Sequence, residues 1–522
     1  MPPSPRRPTR RRAPRPAGPA QPAGPGRPAR GPQPAGPGRA ARGKRLIRLA
    51  ALTAALALPA AGLAAASAPS AGTAPSASVA GHLGTGTTTT TSAAAFRAAA
   101  GATAPIPAVA GAPVIRLGSP DPLSTAQCLS ASKLRCYSPV QYRVAYDLGP
   151  LYSAGITGKD RTIVIVDSFG SPTIRHDLQV FDKQWGFPNP TLDILTYGKL
   201  PKFRPGDATM DGWAEETTVD VEYAHAIAPG AKILLVETPT AETEGVAGFP
   251  DMMKAEQWVI DHNLGDVISQ SFGATENTFL GFSRSNYSSL RGLRYAFADA
   301  ARQHVTVLAA SGDSGATNDE ADGATPYPYR AVSWPSSDPL VTSVGGTQLL
   351  LAQDGNRIQP DRVWNDTYGA SGGGVSSIFT RPSYQDGVTA VVGNRRGTPD
   401  ISMSAAVNGG CWVYESFEPS GAGWEILGGT SEATPIFAGI VALADQVAGH
   451  RLGNINPALY TLGGLSQVSS EAFRTGIVDV TSGSNSYGQV GGYNATPGYD
   501  LASGWGTIDA ARFVPALARV SG

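Results

Sequence analysis

The chain has 522 residues, 41% of them hydrophobic, enough for one large domain or two ordinary ones and too many for a protein without a core. Its formal net charge of zero averages two unlike parts: thirteen of the 41 Lys and Arg residues lie in residues 1–48, which contain no Asp or Glu, leaving 28 basic residues against 41 acidic ones downstream. The folded part is acidic, so binding to nucleic acid or a membrane surface is an alternative only through the arginine arm, and three cysteines without zinc-like Cys/His spacing argue against a zinc site or thiol catalysis.

Residues 1–48 interleave arginine with a repeated Pro-Ala-Gly-Pro and cannot bury a core, so they read as a disordered basic arm: a long n-region of an export signal, or the result of a start codon assigned too far upstream. Residues 49–68 add the apolar stretch Leu49 to Leu58 and the small-residue cleavage site Ala64-Ala65-Ala66-Ser67-Ala68, which predicts a secretory signal and a secreted protein, with an uncleaved membrane anchor as the alternative. Residues 69–127, mostly Ala, Ser, Thr, Gly and Pro, read as a linker or short propeptide, which leaves 128–522 for the folded domain. In an exported protein Cys128 and Cys136 are candidates to close a short loop, with Cys411 left unpaired.

Pro139 to Ala154 carries a helical pattern through Val140, Tyr142, Val144, Ala145, Leu148 and Leu151. Thr162 to Asp167 is a continuous apolar run ending in an acid, and similar runs follow at Lys232–Val236, Asp266–Ser271, Val305–Ala310 and Leu340–Val344. Helices are expected between them at Thr217–Ala228, Pro250–His262 and Ser289–Gln303. Such alternation predicts a doubly wound α/β fold with a mostly parallel sheet, whose ligands gather at the carboxyl ends of the strands.

Three constellations carry chemistry. Glu215-Glu216-Thr217-Thr218-Val219-Asp220-Val221-Glu222 is expected on the first turns of a helix that Pro229 stops. Glu216 and Asp220, four apart, share a face and can share a proton. The plainer reading is that these acids offset the helix dipole, which suits Glu215 and Glu222 better. Ser311-Gly312-Asp313-Ser314-Gly315 follows a strand and puts Asp313 where a protonated carboxyl could donate to an oxyanion, or where it makes an ordinary Asx turn. Gly428-Gly429-Thr430-Ser431-Glu432-Ala433-Thr434-Pro435 delivers Ser431 to the start of a helix, either as a nucleophile or as a cap.

These three pieces, in this order, resemble the sedolisin family of serine-carboxyl peptidases, which have a subtilisin-like fold. Further matches are Ser371-Gly372-Gly373-Gly374, Ser271-Phe272-Gly273 and Pro399-Asp400-Ile401-Ser402, and the similarity covers roughly residues 137–515. The resemblance implies Ser431 as nucleophile, Glu216 as its general base, Asp220 as the partner of Glu216 and Asp313 as the oxyanion donor. A Ser-His-Asp triad using Asp167 is the rival, but among the six histidines only His225 lies near a plausible site. It falls in an apolar helical stretch, so His225 reads as packed or capping and Asp167 as a strand-end acid capping a loop.

Asp479-Val480 and Thr496-Pro497-Gly498-Tyr499-Asp500 put two carboxylates on loops that suit a hard cation. The resemblance implies one structural calcium ion held by Asp479, Val480, Thr496, Gly498 and Asp500, with Thr496 departing from the family's usual glycine. It also implies a long folded prodomain, for which the low-complexity stretch before Cys136 is no match. The expected protein is thus a secreted, acid-acting serine-carboxyl endopeptidase, monomeric, acting on protein or peptide substrates through an acyl-enzyme on Ser431. It is expected to bind no nucleic acid and to keep no membrane association once the signal is removed. A tripeptidyl-peptidase of the same family and an inactive binding protein on the same fold are the alternatives.

Overall fold

Apolar runs that alternate with helical patterns become the parallel strands of one sheet. The computed structural model describes residues 115–116, 119–419, 421–468 and 472–521; the basic arm (1–48), the signal segment (49–68) and most of the linker (69–127) lie outside the described residues. Strands β1 (Thr162–Ser168), β2 (Thr191–Thr196), β3 (Lys232–Thr238), β4 (Val267–Gln270), β5 (Thr306–Ala310), β6 (Thr342–Gln348) and β7 (Arg362–Val363) follow the order β7-β6-β5-β4-β1-β3-β2. An eighth strand, β8 (Ile401–Ser404), pairs with β6, and only β7 runs antiparallel.

Because successive residues of a strand face opposite sides, β1 feeds two cores. Ile163 and Ile165 join the core that holds the helices α2 (Ala208–Ile227) and α4 (Thr430–Ala448), whereas Val164 and Val166 join the one that holds α3 (Phe249–Asp261). α4 is buried on every side from Thr430 to Asp445, as an all-round apolar helix should be. It crosses α2 closely at Gly439, where an added Cβ would lie 2.7 Å from Ile227 Cβ. That approach brings the two helices carrying the serine and the acid pair into direct contact.

Order begins before residue 128. Ser124 and Gln127 form a capping box that starts the helix Thr125–Ser132, and Ile115–Arg116 pairs antiparallel with β10 (Gly423–Leu427), the strand that leads into Gly428. Within this second, four-stranded sheet β10 pairs with β9 (Gly410–Glu415). Cys128 and Cys136 form a disulfide, and Cys411 is free and buried. The single helix expected over Pro139–Ala154 is two, α1 (Pro139–Ala145) and Gly149–Ser153. No helix among the described residues is long and apolar enough to cross a membrane.

Replacing Gly439 by Val should push α4 away from Ile227 and lower the unfolding free energy by about 1–3 kcal/mol, the usual cost of overpacking. Chemical denaturation checks this; an unchanged midpoint would mean that the crossing tolerates a side chain.

Candidate active site

α2 is longer than the sequence pattern indicated. It starts at Ala208, where Asp207 Oδ1 accepts from Met210 N at 3.3 Å, so Glu216 and Asp220 sit in the middle of the 20-residue helix and not on its first turns. The dipole explanation therefore fails for them, because that field fades within one turn. Nor does it hold for Glu222, which is buried and accepts from Tyr414 N at 3.2 Å, or for Glu215, which lies beside Glu415 and Glu425.

Glu216 is 5% exposed and Asp220 0%, on the face of α2 that meets the carboxyl edge of the sheet. Ser271, just past β4, donates its hydroxyl to Asp220 Oδ1 at 2.8 Å. Burial pushes the Glu216 carboxyl well above the usual range; the hydroxyl of Ser431 opposes this, while the charges of Asp167 and Asp313 reinforce it. Asp220 is raised for the same first reason, with Asp167 and Glu216 adding to it. Two carboxyls so placed titrate together. Ser431 Oγ, Glu216 Oε1 and Asp220 Oδ2 are all buried, with the serine hydroxyl directed at Glu216.

Asp167 does not cap a loop as expected. It is fully buried, neither carboxyl oxygen makes a hydrogen bond of good geometry, and burial raises its pKa to about 7, opposed by Thr217 and helped by Glu237. β1 ends beneath α2, so this acid extends the Glu216–Asp220 pair inward. His225 is packed as expected: it is 0% exposed, with Nε2 2.9 Å from Pro188 O and 3.1 Å from Asp182 Oδ1.

Ser431 is not a cap. The N-cap of α4 is Gly429, at φ 120° and with no side chain to cap, which places Ser431 as the second helical residue with its backbone N–H at the positive end. The glycine pair is required by crowding: a Cβ on Gly428 would lie 2.6 Å from Ala405 O, and Gly429 N donates to that same carbonyl. Thr430, to which the motif reading gave no task, ties the Asp313 loop to this turn. Its N–H and hydroxyl both donate to Asp313 Oδ1, at 2.8 and 2.7 Å, and Gly312 N donates to Thr430 Oγ1 at 3.1 Å. Gly372 packs under the same loop, its N–H donating to Gly312 O at 2.7 Å. Ser431, Glu216, Asp220 and Asp313, from three distant stretches of chain, therefore adjoin at one edge of the sheet.

The C-terminal loops also meet. Asp479 Oδ2 accepts from Gly498 N at 2.7 Å and Asp500 Oδ2 from Thr496 N at 2.9 Å, while Asp500 Oδ1 accepts from the Ala502 and Ser503 amides. Asp479 Oδ1 is buried with no hydrogen-bond partner, an orphaned oxygen of the kind a hard cation would satisfy, so the donor set fits the expected ion.

A model of the subtilase family matches residues 210–459. Kumamolisin of Bacillus sp. (strain MN-32) is 32% identical over 390 residues, covering 73% of this chain and 63% of its own. Sedolisin of Pseudomonas sp. (strain 101) is 30% identical, over 77% and 64%, and tripeptidyl-peptidase 1 of Rattus norvegicus 31%, over 56% and 50%. The chain thus spans under two thirds of the length of these relatives. Among solved structures, Pseudomonas sedolisin (serine-carboxyl proteinase) complexed with two molecules of pseudo-iodotyrostatin superposes with a TM-score of 0.61 at 28% identity, over 73% of this chain and 97% of that one.

If Asp167 charges the pair from below, Asp167→Asn should lower the titration of both Glu216 and Asp220. A pH titration of the carboxyl infrared bands against the parent protein reads this; unmoved bands would remove Asp167 from the group.

Proposed function

The chain belongs to the sedolisin family, and from that premise we propose that it is a secreted serine-carboxyl endopeptidase that works in acid. The observation that carries the reading is the meeting of Ser431 with an acid pair on one side and Asp313 on the other. In this reading Ser431 Oγ attacks the peptide carbonyl carbon and its proton passes to Glu216. Asp220, hydrogen-bonded by Ser271, holds and tunes Glu216. The oxyanion accepts from a protonated Asp313 and from the backbone N–H at the start of α4. Collapse expels the amine, which takes the proton back from Glu216, and water then cleaves the acyl-enzyme with Glu216 again the base. Burial makes Glu216 the stronger base once it is ionised, and the hydroxyl of Ser431 favours that ionised form.

Export is supported by the Cys128–Cys136 disulfide, which persists in oxidising compartments. We also assign one structural calcium ion to Asp479 and Asp500 with the carbonyls of Val480, Thr496 and Gly498. When bound it would cross-link the two C-terminal loops. The relative named tripeptidyl-peptidase 1 favours a second reading, removal of tripeptides from a free N-terminus. Digesting an unfolded protein at acidic pH and mapping the cuts by mass spectrometry separates the two, since internal cuts and tripeptide ladders differ.

Ser431→Ala and Glu216→Gln should each abolish hydrolysis in a folded protein, since nucleophile and base act as one unit. Activity surviving in either would end the assignment. Asp313→Asn tests the pH dependence. An ordinary Asp loses its proton near pH ~4, so the donor is lost as pH rises, whereas an amide donates at any pH. The variant should be slower at its best yet active to higher pH than the parent; an alkaline limb at the same pH would assign that limb to Glu216 and Asp220.

Chelation should lower the thermal midpoint more than the turnover of enzyme still folded, because an ion bound only by the native state stabilises it by mass action. Asp500→Ala should behave like the chelated protein. A midpoint indifferent to removal of measured calcium would refute the site.

A further inference from the structure

Glu432 follows the nucleophile directly, is 0% exposed, and has no part in the mechanism above. Its carboxyl turns inward from the first turn of α4 and lies against Tyr142 of α1, Ser404 of β8 and Cys411 of β9, with Tyr223 of α2 and Tyr146 close behind. Four separate elements thus close on one acid.

Two of the hydroxyls that approach it, those of Tyr142 and Ser404, are shared with other acceptors, and Tyr223 is directed elsewhere. Tyr142 donates its hydroxyl to Gly409 O at 3.0 Å, Ser404 donates its own to Tyr142 Oη at 3.3 Å, and Tyr223 donates to Trp412 O at 3.0 Å. Tyr146 Oη accepts from Ser404 N at 2.7 Å. What remains is the hydroxyl proton of Tyr146 and the Cys411 thiol, a weak donor. Neither Glu432 oxygen makes a hydrogen bond of good geometry. Among the described residues no cation faces it either. Arg143 of α1 is directed to Ala226 O and the Phe187 ring, and Arg357 lies over Tyr146 and is bound to Asp361. Glu222, like Glu432, acts on the Cys411 thiol.

Against the cost of burial a carboxylate here has only the partial contacts of Tyr142, Ser404 and Cys411 and no countercharge among the described residues, whereas a carboxylic acid can give its own proton to a tyrosine or serine oxygen. We infer that Glu432 is a positioning residue that holds the first turn of α4 only while protonated, so that its ionisation loosens the turn carrying Ser431 and limits the protein on the alkaline side. The statement about the serine's work rests on the peptidase reading; the pH dependence of the fold does not.

The sign follows from burial, which raises this carboxyl from the ordinary 4.5 to about 8. The fold then keeps a proton that the unfolded chain gives up, so stability falls as pH rises from about 4.5 to about 8 and is level beyond. This limit differs from that of Asp313, which governs the rate of intact enzyme.

The test uses the full chain with Ser431→Ala, so that self-digestion and the peptidase reading play no part. Thermal midpoints are measured from pH 4.5 to 8.5 with and without Glu432→Gln. The amide keeps the shape and a donor but does not titrate, so its midpoint should fall over this range by several degrees less than that of Glu432. Parallel curves would overturn the inference. If the Gln protein does not fold, Glu432→Met supplies the same comparison with a side chain of like length and no charge. In the active enzyme, incubation at pH 8 followed by assay in acid should leave a larger fraction of activity in Glu432→Gln than in the parent. Equal fractions would overturn the link to the serine turn while leaving the midpoint result to stand.

Discussion

Carboxyl groups taken out of water without a countercharge set the terms for the rest of this structure. Asp167, Glu216 and Asp220 lie buried where α2, α4 and β1 meet, Glu432 lies buried among α1, β8 and β9, and among the described residues none has an arginine, lysine or histidine against it. An ionised carboxylate so placed costs several kcal/mol even after relaxation, so such groups keep their protons to higher pH. Where the chain needs a buried charge for structure it supplies the partner. Arg396 and Asp400 are both fully buried, bound to each other, with Tyr460 donating to Asp400 at 2.8 Å. The contrast shows that the acids under Ser431 lack cations by arrangement and not because the fold cannot bury one.

That arrangement depends on small residues. Gly439 lets α4 press against Ile227, and Gly428 and Gly429 let the turn before Ser431 run against Ala405. Larger residues at these points would open the space between α2 and α4 and admit water. The serine would then move from the acids, and the acids would return toward ordinary titration. Packing and chemistry are thus one constraint, with Thr430 extending it to the third segment by fixing Asp313 to the same turn.

The sequence was most legible where one residue type has few alternatives. Continuous Val and Ile runs gave the parallel strands, and glycine pairs flanking Ser and Asp marked the turns that present them. The start of α2 was hidden because its face pattern is blurred: Thr209 to Ile227 is almost wholly buried, so polar and apolar positions do not alternate as on a surface helix. Composition likewise masked the capping box at Ser124 and the short strand at Ile115–Arg116 inside an Ala/Ser/Pro-rich stretch. The parts of Ser271 and Thr430 could not be read locally, since each acts on a residue 51 or 117 positions away. Asp167 was misjudged for a similar reason: a strand-end acid looks alike whether loop amides or other acids surround it.

On the proposed reading these acids also account for a mechanism without histidine. Below pH ~6 an ordinary imidazole is already charged and cannot accept the serine proton, so a triad on this fold would fail in acid. In a buried carboxyl pair one member can ionise in acid only where the proton held by the other and the hydroxyl of Ser431 favour it against the cost of burial. Desolvation makes the ionised member a better base than an exposed Glu. The same desolvation demands that neighbours such as Asp167 and Glu432 stay neutral, which acid guarantees and alkali removes. Basicity at the serine and tolerance of the fold to pH therefore rest on one physical cause and cannot be altered separately by changing how deeply the site is buried.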